Sequence, residues 1–218
     1  LRISAPTSFG RLHIAPQLHR FLEANPKVDL EFDLSDQKLD LYAGRIDLAI
    51  RITAEIPASV EAHPLAPNHR VLCASPAYIE RYGAPRSLNE LQHHKLLAAD
   101  GQLPWELAKG DQRRLVEGTS HVRTNSSEIV RELALCGAGI SLRSLWDIDG
   151  ALKAGDLVPL LPEWGAPSKL CIYALHPKTP RIAAATAAFV DFLKTILDPA
   201  PWDLTIAQDV QTGGEREN

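Results

Sequence analysis

The sequence predicts an α/β protein made of two lobes. Along its 218 residues, short runs with the pattern of β-strands alternate with amphipathic helical segments, and this alternation is typical of sheets with helical connections. The chain is long enough for two small lobes with cores of their own. Apolar residues make up 45% and charged residues 23%, which is ordinary for a globular protein, so the composition agrees with a packed fold of this class.

The first lobe is predicted to open with a β-α-β-α-β unit. Residues 1–5 form the first strand, and residues 15–25 form a helix whose apolar side chains recur at helical spacing. Residues 28–34 alternate between apolar and acidic types and form the second strand. A short helix at 38–43 leads to a nearly continuous apolar strand at 46–52. This order implies parallel strands joined by right-handed crossovers.

The chain is expected to enter a second lobe after two more strands, at 60–65 and 70–74. The helix that follows, at 75–82, has Ser75 as its N-cap and Pro76 in its first turn. Further strands of this lobe are predicted at 95–99, at 121–124, and in a hairpin of 104–109 and 113–117 around Gly110-Asp111.

The second half of the chain has a well-marked helix that Asn125 is predicted to cap, with Glu128 three positions later. Gly137 and Gly139 end it. The remaining predicted elements are strands at 140–142, 157–161 and 169–175, a helix at 145–154, and a last helix capped by Thr179 with Pro180 in its first turn. The predicted division is lobe I at 1–74 and 177–197, lobe II at 75–176, and a partly disordered tail at 198–218.

Charge and residue usage exclude several classes of protein. The net charge of −4 argues against a free-standing nucleic-acid binder, and no apolar run reaches the ~18 residues that span a bilayer. Cys73, Cys136 and Cys171 are odd in number and widely spaced, which predicts three buried free thiols in a reducing compartment. The chain contains no Met, so we expect it to be a fragment of a protein that continues upstream.

No constellation of catalytic residues is apparent. The pair His93-His94 lacks an acidic or Cys partner at a spacing suited to metal binding. Gly137-Ala138-Gly139 does not match a dinucleotide-binding loop, and neither a G-x-S-x-G elbow nor a placed pair of carboxylates is present. The sequence therefore predicts that the chain is not an enzyme and that it has no cofactor and no metal site.

Candidate ligand-binding residues follow the first strand. In open parallel sheets, ligands bind beyond the carboxyl ends of strands and near the starts of helices. Thr7, Ser8, Phe9 and Gly10 occupy this position, where backbone N–H groups and two hydroxyls could hold a ligand. The alternative is structural, with Ser8 capping a helix and Phe9 in the core.

Matching candidates lie in the second lobe and at strand ends. Asn125, Ser126 and Ser127 begin a helix there, although they could serve only as its cap. Arg51 and Arg143 end strands and could each bind a carboxylate through two N–H groups, or could form structural ion pairs. Asp100, after the predicted strand at 95–99, is a weaker candidate.

Several blocks of the chain resemble the effector-binding domain of LysR-type transcription regulators, in order and at the usual spacing from residue 1 to about 197. The resemblance is carried by residues 4–10 (SAPTSFG), 14–16 (IAP), 21–22, 25–26, 34–36, 40–41, 44–52 (GRIDLAIRI), 65–67, 71–78 (VLCASPAY) and 133–140 (LALCGAGI).

The resemblance implies the fold of type 2 periplasmic binding proteins, which has two Rossmann-like lobes joined by two crossover strands. It implies a small effector in the cleft between the lobes, and a cytoplasmic homodimer or homotetramer with no membrane segment. The candidate arginines and helix starts, rather than the resemblance, favour an anionic effector. DNA would be contacted only by an N-terminal winged helix-turn-helix, which this chain does not contain. The family commonly has Leu-Pro where this sequence has Arg143-Ser144, so the ligand class is not carried over.

Two alternatives remain open at this point. A solute-binding protein of a transporter could have the same fold, and its gene would encode a signal sequence or a lipid-attachment Cys upstream, rather than a helix-turn-helix and a linker helix. An enzyme on an α/β scaffold would convert its ligand during long incubation.

Overall fold

The computed structural model describes residues 1–36, 45–167 and 169–202, which form two α/β units. Unit 1 comprises Leu1–Asn68 and Lys169–Asn218, and unit 2 comprises His69–Ser168. The sequence analysis places the two passages between lobes after residues 74 and 176 instead, and the strand pairing described below explains the difference.

Within these described segments, the strands in chain order are β1 (Arg2–Ala5), β2 (Glu31–Leu34), β3 (Leu48–Thr53), β4 (Val60–Pro67), β5 (Arg70–Ala74), β6 (Leu96–Leu97), β7 (Trp105–Lys109), β8 (Gln112–Val116), β9 (Ile140–Ser144), β10 (Val158–Gly165) and β11 (Cys171–Pro177). The α-helices are α1 (Thr7–Phe9), α2 (Leu18–Ala24), α3 (Pro76–Tyr82), α4 (Ser127–Leu135), α5 (Leu145–Ala154) and α6 (Ala184–Leu197). None of the described helices is both long and apolar enough to cross a lipid bilayer.

The sheet of unit 1 has the strand order β2-β1-β3-β11-β4. Strand β1 is parallel to β2 and β3, with Ser4 opposite both Asp33 and Ala49, as the β-α-β-α-β pattern predicts. Strand β11 runs antiparallel to β3 and β4, so the complete sheet is mixed, and β11 belongs to unit 1 rather than to the second lobe. The predicted helix at 38–43 lies outside the described residues.

The helical segment after β1 begins at Thr7, well before the predicted start at residue 15. It runs through α1, a π-helical turn at Gly10–Ile14, a 3₁₀ turn at Ala15–Gln17 and α2. Pro16 has no N–H and cannot continue the α-helical hydrogen bonds. The ladder widens just before it, where the Ala15 N–H donates to the Gly10 carbonyl.

Aromatic rings from distant parts of the chain meet in the core of unit 1. The rings of Phe21 and Phe189 pack edge to face at 4.8 Å. Trp202 is 1% exposed and its ring lies 4.8 Å from that of His13 and 6.1 Å from that of Phe9. The first residues of the predicted tail, as far as Trp202, therefore pack against this core, and residues 203–218 lie outside the described part of the chain.

The last helix, α6, has Ala183 at its N-cap position and no side-chain cap. Thr179, the predicted cap, donates its hydroxyl hydrogen to the Arg181 carbonyl at 3.1 Å in the turn before the helix. The sequence prediction of this cap is therefore wrong, because Thr179 closes a local turn instead.

The sheet of unit 2 has the strand order β6-β9-β5-β10-β7-β8. Strand β5 pairs with β9 and β10, which puts it in unit 2 and moves the first passage to Asn68. The predicted hairpin is confirmed as β7 and β8. The predicted strand at 121–124 is wrong, since the described pairing nearby is an isolated bridge between Leu96 and Ser120.

The N-cap residues of α3 and α4 can be compared with those predicted from the sequence. Ser75 caps α3 as predicted and accepts a hydrogen bond from the Tyr78 N–H at 3.3 Å. The N-cap of α4 is Ser126, whose Oγ accepts from the Ile129 N–H at 3.4 Å. The prediction that Asn125 caps this helix is wrong by one position.

The cysteines differ from the prediction of three buried thiols. Cys73 is buried, Cys171 is partly buried, and Cys136 at the end of α4 is exposed. Burial raises the pKa of the Cys73 thiol to about 11, so this thiol stays protonated and unreactive near neutral pH.

Candidate functional site

The carboxyl ends of the parallel strands in unit 1 bring Thr7, Asp36 and Arg51 to one edge of the sheet. The backbone N–H of Thr7 donates to Asp36 Oδ1 at 2.8 Å. Arg51 extends from β3, and its Nη2 donates to Ser4 Oγ at 2.8 Å. This is the edge at which α/β sheets bind ligands, as the sequence analysis expects for Thr7 and Arg51.

Arg51 is held by the protein itself. Its Nη1 donates to the Ile50 carbonyl at 2.7 Å, in addition to the bond with Ser4. Burial lowers the pKa of the Arg51 guanidinium, while the negative charges of Asp33 and Asp36 oppose that shift. Arg51 therefore links β3 to β1 at this edge through its hydrogen bond to Ser4.

The segment from Ser8 to Gly10 packs inward. Phe9 is fully buried against His13 and Trp202. Gly10 is closely packed, because a Cβ there would overlap the end of the Leu34 side chain, which would have to move. Both residues thus have packing roles, which is the structural alternative stated for Phe9.

Ser8, unlike Phe9 and Gly10, has a polar side-chain group that is buried. It is 2% exposed, and its Oγ has no hydrogen-bond partner among the residues that the structure describes. It does not cap α1, whose N-cap position is Pro6. A buried hydroxyl without a partner is uncommon in folded proteins and calls for an explanation.

In unit 2, the start of α4 and the end of β9 meet at a buried ion pair. Arg143 is 4% exposed, and its Nε and Nη2 both donate to Asp147 Oδ2. The Asp147 side chain is fully buried. Arg143 Nη1 donates to Ser127 Oγ at 2.9 Å. The ion-pair alternative stated for Arg143 is therefore the one observed.

A second guanidinium reaches the same carboxylate. Arg131 Nη1 lies 3.4 Å from Asp147 Oδ1, and Arg131 Nη2 lies 2.7 Å from Glu132 Oε1. Burial disfavours the charged form of Arg131, but the hydrogen bond to Glu132 and the charge of Asp147 outweigh it and raise its pKa.

Arg70 completes this cluster and is a residue that the sequence analysis missed. It opens β5 opposite Ser144, is partly buried, and donates from Nη2 to the Leu142 carbonyl at 2.9 Å. Burial lowers the pKa of its guanidinium to about 10, and the positive charge of Arg143 adds to this shift. Within the described residues, no acidic side chain pairs with it.

The loop after β6 joins the start of α4. The Asp100 N–H donates to the Thr124 carbonyl at 2.8 Å, and the Asp100 residue is exposed. Gln102, also missed in the sequence, donates from Nε2 to Ser127 Oγ at 3.3 Å. Ser127 therefore links Gln102 to Arg143, whereas Asn125 is exposed and is not part of this set of contacts.

Arg70 and Gln102 have no sequence signal of their own. The pairing of β5 with β9 brings Arg70 to Arg143, and this pairing joins segments about seventy residues apart. The spacing of Arg143 and Asp147, by contrast, is four residues and could have been noticed as a local ion pair.

Comparison with known proteins places the chain in a family. A family model described as LysR substrate binding domain matches residues 1–198. The HTH-type transcriptional activator TtdR of Escherichia coli (strain K12) is 42% identical over 168 residues, which is 75% of this chain and 54% of that protein. The HTH-type transcriptional regulator DmlR of the same strain is 35% identical over 198 residues, 89% of this chain and 64% of that protein. The chain thus spans between about half and two thirds of these relatives.

Solved structures agree with this assignment. The full-length structure of the Vibrio cholerae virulence activator AphB, a member of the LTTR protein family, has a TM-score of 0.78 and 26% identity, and the match covers 89% of this chain and 67% of that one. The regulatory domain of CrgA, a LysR-type transcriptional regulator from Neisseria meningitidis, has a TM-score of 0.78 and 26% identity, with 89% and 97% covered. The chain belongs to the LysR substrate-binding domain family, with the α/β fold of type 2 periplasmic binding proteins.

Proposed function

We propose that this chain is the sensing domain of a DNA-binding transcription regulator and that it binds a small anionic effector. The observation that carries the proposal is the imbalance of charge in unit 2. Two guanidinium groups, those of Arg131 and Arg143, bind one fully buried carboxylate, that of Asp147, and a third, that of Arg70, lies close enough to Arg143 for the charge of Arg143 to lower its pKa. Arg131 has a second acidic partner in Glu132, so the uncompensated charge lies on the side of Arg70.

An anion beside Arg70 would supply the missing negative charge. A buried or partly buried charge without a partner is costly, and a guanidinium offers parallel N–H groups that fit a carboxylate. Arg70 is partly exposed as a residue, although its guanidinium group is buried enough for burial to lower its pKa. Charge-assisted hydrogen bonds contribute about 1.5–3 kcal/mol each. Three or four of them, less the cost of ordering, correspond to about 4–8 kcal/mol, or millimolar to micromolar affinity.

Unit 1 has candidate binding groups of its own. The buried hydroxyl of Ser8 is available to bind a ligand, and Thr7 lies next to it at the carboxyl edge of the sheet. We include both in the proposal, with Arg51 positioning this edge. Phe9 and Gly10 enter it only as packing residues, and Asn125, Ser126 and Asp100 as neighbours of Ser127.

The regulatory role rests on the relatives. TtdR and DmlR are named as HTH-type regulators, which favours a transcription regulator over a transporter's solute-binding protein or an enzyme. In the full protein we propose that an N-terminal helix-turn-helix contacts DNA and that the regulator acts as a homodimer or homotetramer.

The effector class can be tested by calorimetry and thermal shift with a panel of small mono- and dicarboxylates, each beside its neutral amide. A carboxylate that binds should raise Tm, since a ligand at one hundred times its Kd adds about 2.7 kcal/mol to the free energy of unfolding. The amide should have no such effect. Equal binding of acid and amide would contradict an anionic effector.

Arg70→Gln tests the residue that carries the proposal. This change should weaken carboxylate binding at least tenfold and lower the free energy of unfolding of the unliganded protein by only about 1 kcal/mol, because it removes a charge that has no acidic partner and a hydrogen bond to the Leu142 carbonyl. Arg114→Gln is the matched control, since Arg114 is an exposed arginine on β8 of the same unit. Unchanged affinity in Arg70→Gln would place the effector elsewhere.

A further inference from the structure

Three side chains with metal-binding atoms lie together on the sheet of unit 1, where β4 pairs with β11. His176 stands directly opposite Glu61, and Ala174 stands opposite His63. Residues opposite each other across a ladder, and residues two apart along a strand, share a face of the sheet. Glu61, His63 and His176 therefore project from the same face of the unit 1 sheet, whereas the arginine cluster belongs to unit 2.

The distances between their ligand atoms are short. His63 Nε2 lies 3.1 Å from His176 Nε2, and His176 Nε2 lies 4.0 Å from Glu61 Oε2. The three ligand atoms all lie within 4.8 Å of one another. Two nitrogen ligands bound to one tetrahedral ion at 2.0–2.1 Å would lie about 3.3 Å apart, so the two imidazoles need little movement to share an ion.

The ring of His176 is oriented for this task. Its Nδ1 lies 2.9 Å from the Pro177 carbonyl oxygen. A carbonyl oxygen can only accept, so Nδ1 carries the proton and Nε2 presents a lone pair towards His63. In metal sites, a histidine that binds the ion through one ring nitrogen usually donates the N–H of its other ring nitrogen to a carboxylate, a backbone carbonyl or a water molecule. His176 is 3% exposed, which fixes the ring in this position.

His63 and Glu61 provide access and charge. The His63 ring stacks on that of His176 at 5.2 Å and is partly exposed, while the Glu61 side chain is 55% exposed.

We propose that Glu61, His63 and His176 form a binding site for a divalent transition-metal ion of the zinc type. Two imidazole nitrogens and one carboxylate oxygen are a known set of three protein ligands for Zn²⁺, with further positions left for water or another ligand. The proposal is independent of the effector site and departs from the sequence prediction of no metal site. His63 and His176 are 113 residues apart, so no spacing motif could reveal them.

The competing explanation is a hydrogen bond between the two rings, in which His63 Nε2–H donates to His176 Nε2. This arrangement needs no ion. Calorimetry or equilibrium dialysis of the whole chain with Zn²⁺ alone distinguishes the two. We expect one Zn²⁺ bound per chain and no comparable binding of Mg²⁺, which prefers oxygen ligands. Failure to bind Zn²⁺ above the level of the His63→Ala variant would overturn the proposal.

Variants assign the binding to these residues. His63→Ala should lower Zn²⁺ affinity at least tenfold, and Glu61→Gln should lower it by a smaller factor. His121→Ala is the control, since His121 is an exposed histidine of unit 2 and its loss should change affinity less than twofold. Because His63 and Glu61 are not fully buried, both variants should fold, which circular dichroism checks. His121→Ala lowering affinity as much as His63→Ala would also overturn the assignment.

Co²⁺ gives a readout of ligand type. Bound in place of Zn²⁺, it should show visible absorption of a low-symmetry site with nitrogen ligands, and this absorption should be lost in His63→Ala. A spectrum that is identical in the wild-type chain and in His63→Ala would mean that the ion binds elsewhere and would contradict the proposal.

Discussion

Asp147 is the residue on which the buried charges of unit 2 depend. Arg143 binds it through two nitrogen atoms, and Arg131 approaches its other oxygen at 3.4 Å. Removing one partner of a buried ion pair leaves the remaining charge without compensation, and this costs more than the pair itself contributes.

Asp147→Asn should therefore lower the free energy of unfolding by about 3–5 kcal/mol. Asp149→Asn is the comparison on the same helix, because the partner of Asp149, Lys153, has a side chain that is 54% exposed, and pairs with an exposed partner contribute about 0–1 kcal/mol. Urea denaturation of the two variants measures the difference. Similar losses in both would mean that the Arg143–Asp147 pair has no special role in stability.

Ser4 and Ser8 are two buried serines with opposite hydrogen bonding. The Ser4 hydroxyl accepts from Arg51, whereas that of Ser8 has no partner among the described residues. Ser4→Ala should destabilise the unliganded protein by about 1–3 kcal/mol, because it leaves a partly buried guanidinium unsatisfied. Ser8→Ala should leave it unchanged or slightly more stable, while it weakens effector binding. A Ser8→Ala variant that loses as much stability as Ser4→Ala would argue against an unused hydroxyl.

For single residues, the sequence can indicate which side chains lie near the candidate site. It does not show which partners those side chains contact. Arg143 was found from its place at a strand end, but whether its partner is a ligand or Asp147 depends on side-chain geometry. Arg70 could not be found, because its significance arises only when β5 lies beside β9.

Among the elements, β6 and β9 approach each other closely at a glycine. The backbone of Gly139 leaves no room for a Cβ, which would overlap the Lys95 carbonyl oxygen. The sequence analysis interprets Gly139 as part of the end of a helix, and the structure adds this second reason for a glycine. A backbone neighbour cannot move aside as a flexible side chain can.

Gly139→Ala should destabilise unit 2 by more than 1 kcal/mol, roughly the cost of strain in a packed core. Gly150→Ala should instead stabilise it by about 0.5–1 kcal/mol, because Gly150 lies inside α5 with open space at its Cβ. Chemical denaturation of both variants tests the contrast. Equal effects would show that the contact with Lys95 relaxes easily.

The type of an element can be predicted where a local sequence pattern determines it. The residue at which an element begins or ends cannot be predicted where packing or hydrogen bonding to another segment determines it. The alternation in β2 and the turn at Gly110 predicted a strand and a hairpin that are both observed. The start of the first helical segment was missed, since Pro16 suggests a helix start, whereas a π-helical turn carries the helix through it.

For the whole molecule, two units with separate sheets and the LysR family assignment were predicted, and the fold is confirmed. The points at which the chain crosses between the units differ from the prediction. The reason is that the sequence of β5, like that of β11, does not show which of the two sheets the strand joins. Their hydrogen-bond partners decide it, and these partners are distant along the chain.

The proposed homodimer can be tested on α4. Ile129 is a large apolar side chain that is 47% exposed on this helix, and we propose that this exposed face lies at the interface. Ile129→Glu should shift the mass measured by light scattering from dimer towards monomer. Leu115→Glu is the control, since Leu115 is 57% exposed on β8 and its change should leave the mass as it was. A monomeric wild-type chain would contradict the proposed interface.

The position of Trp202 has a practical consequence for recombinant fragments. The family match ends at residue 198, yet the indole of Trp202 is 1% exposed and covers Phe9 and His13. Loss of a buried Trp side chain typically costs about 3–5 kcal/mol. A fragment that ends at residue 198 would expose the Phe9 ring next to Ser8. Weak or absent effector binding by such a fragment would then reflect the loss of Trp202 from the core.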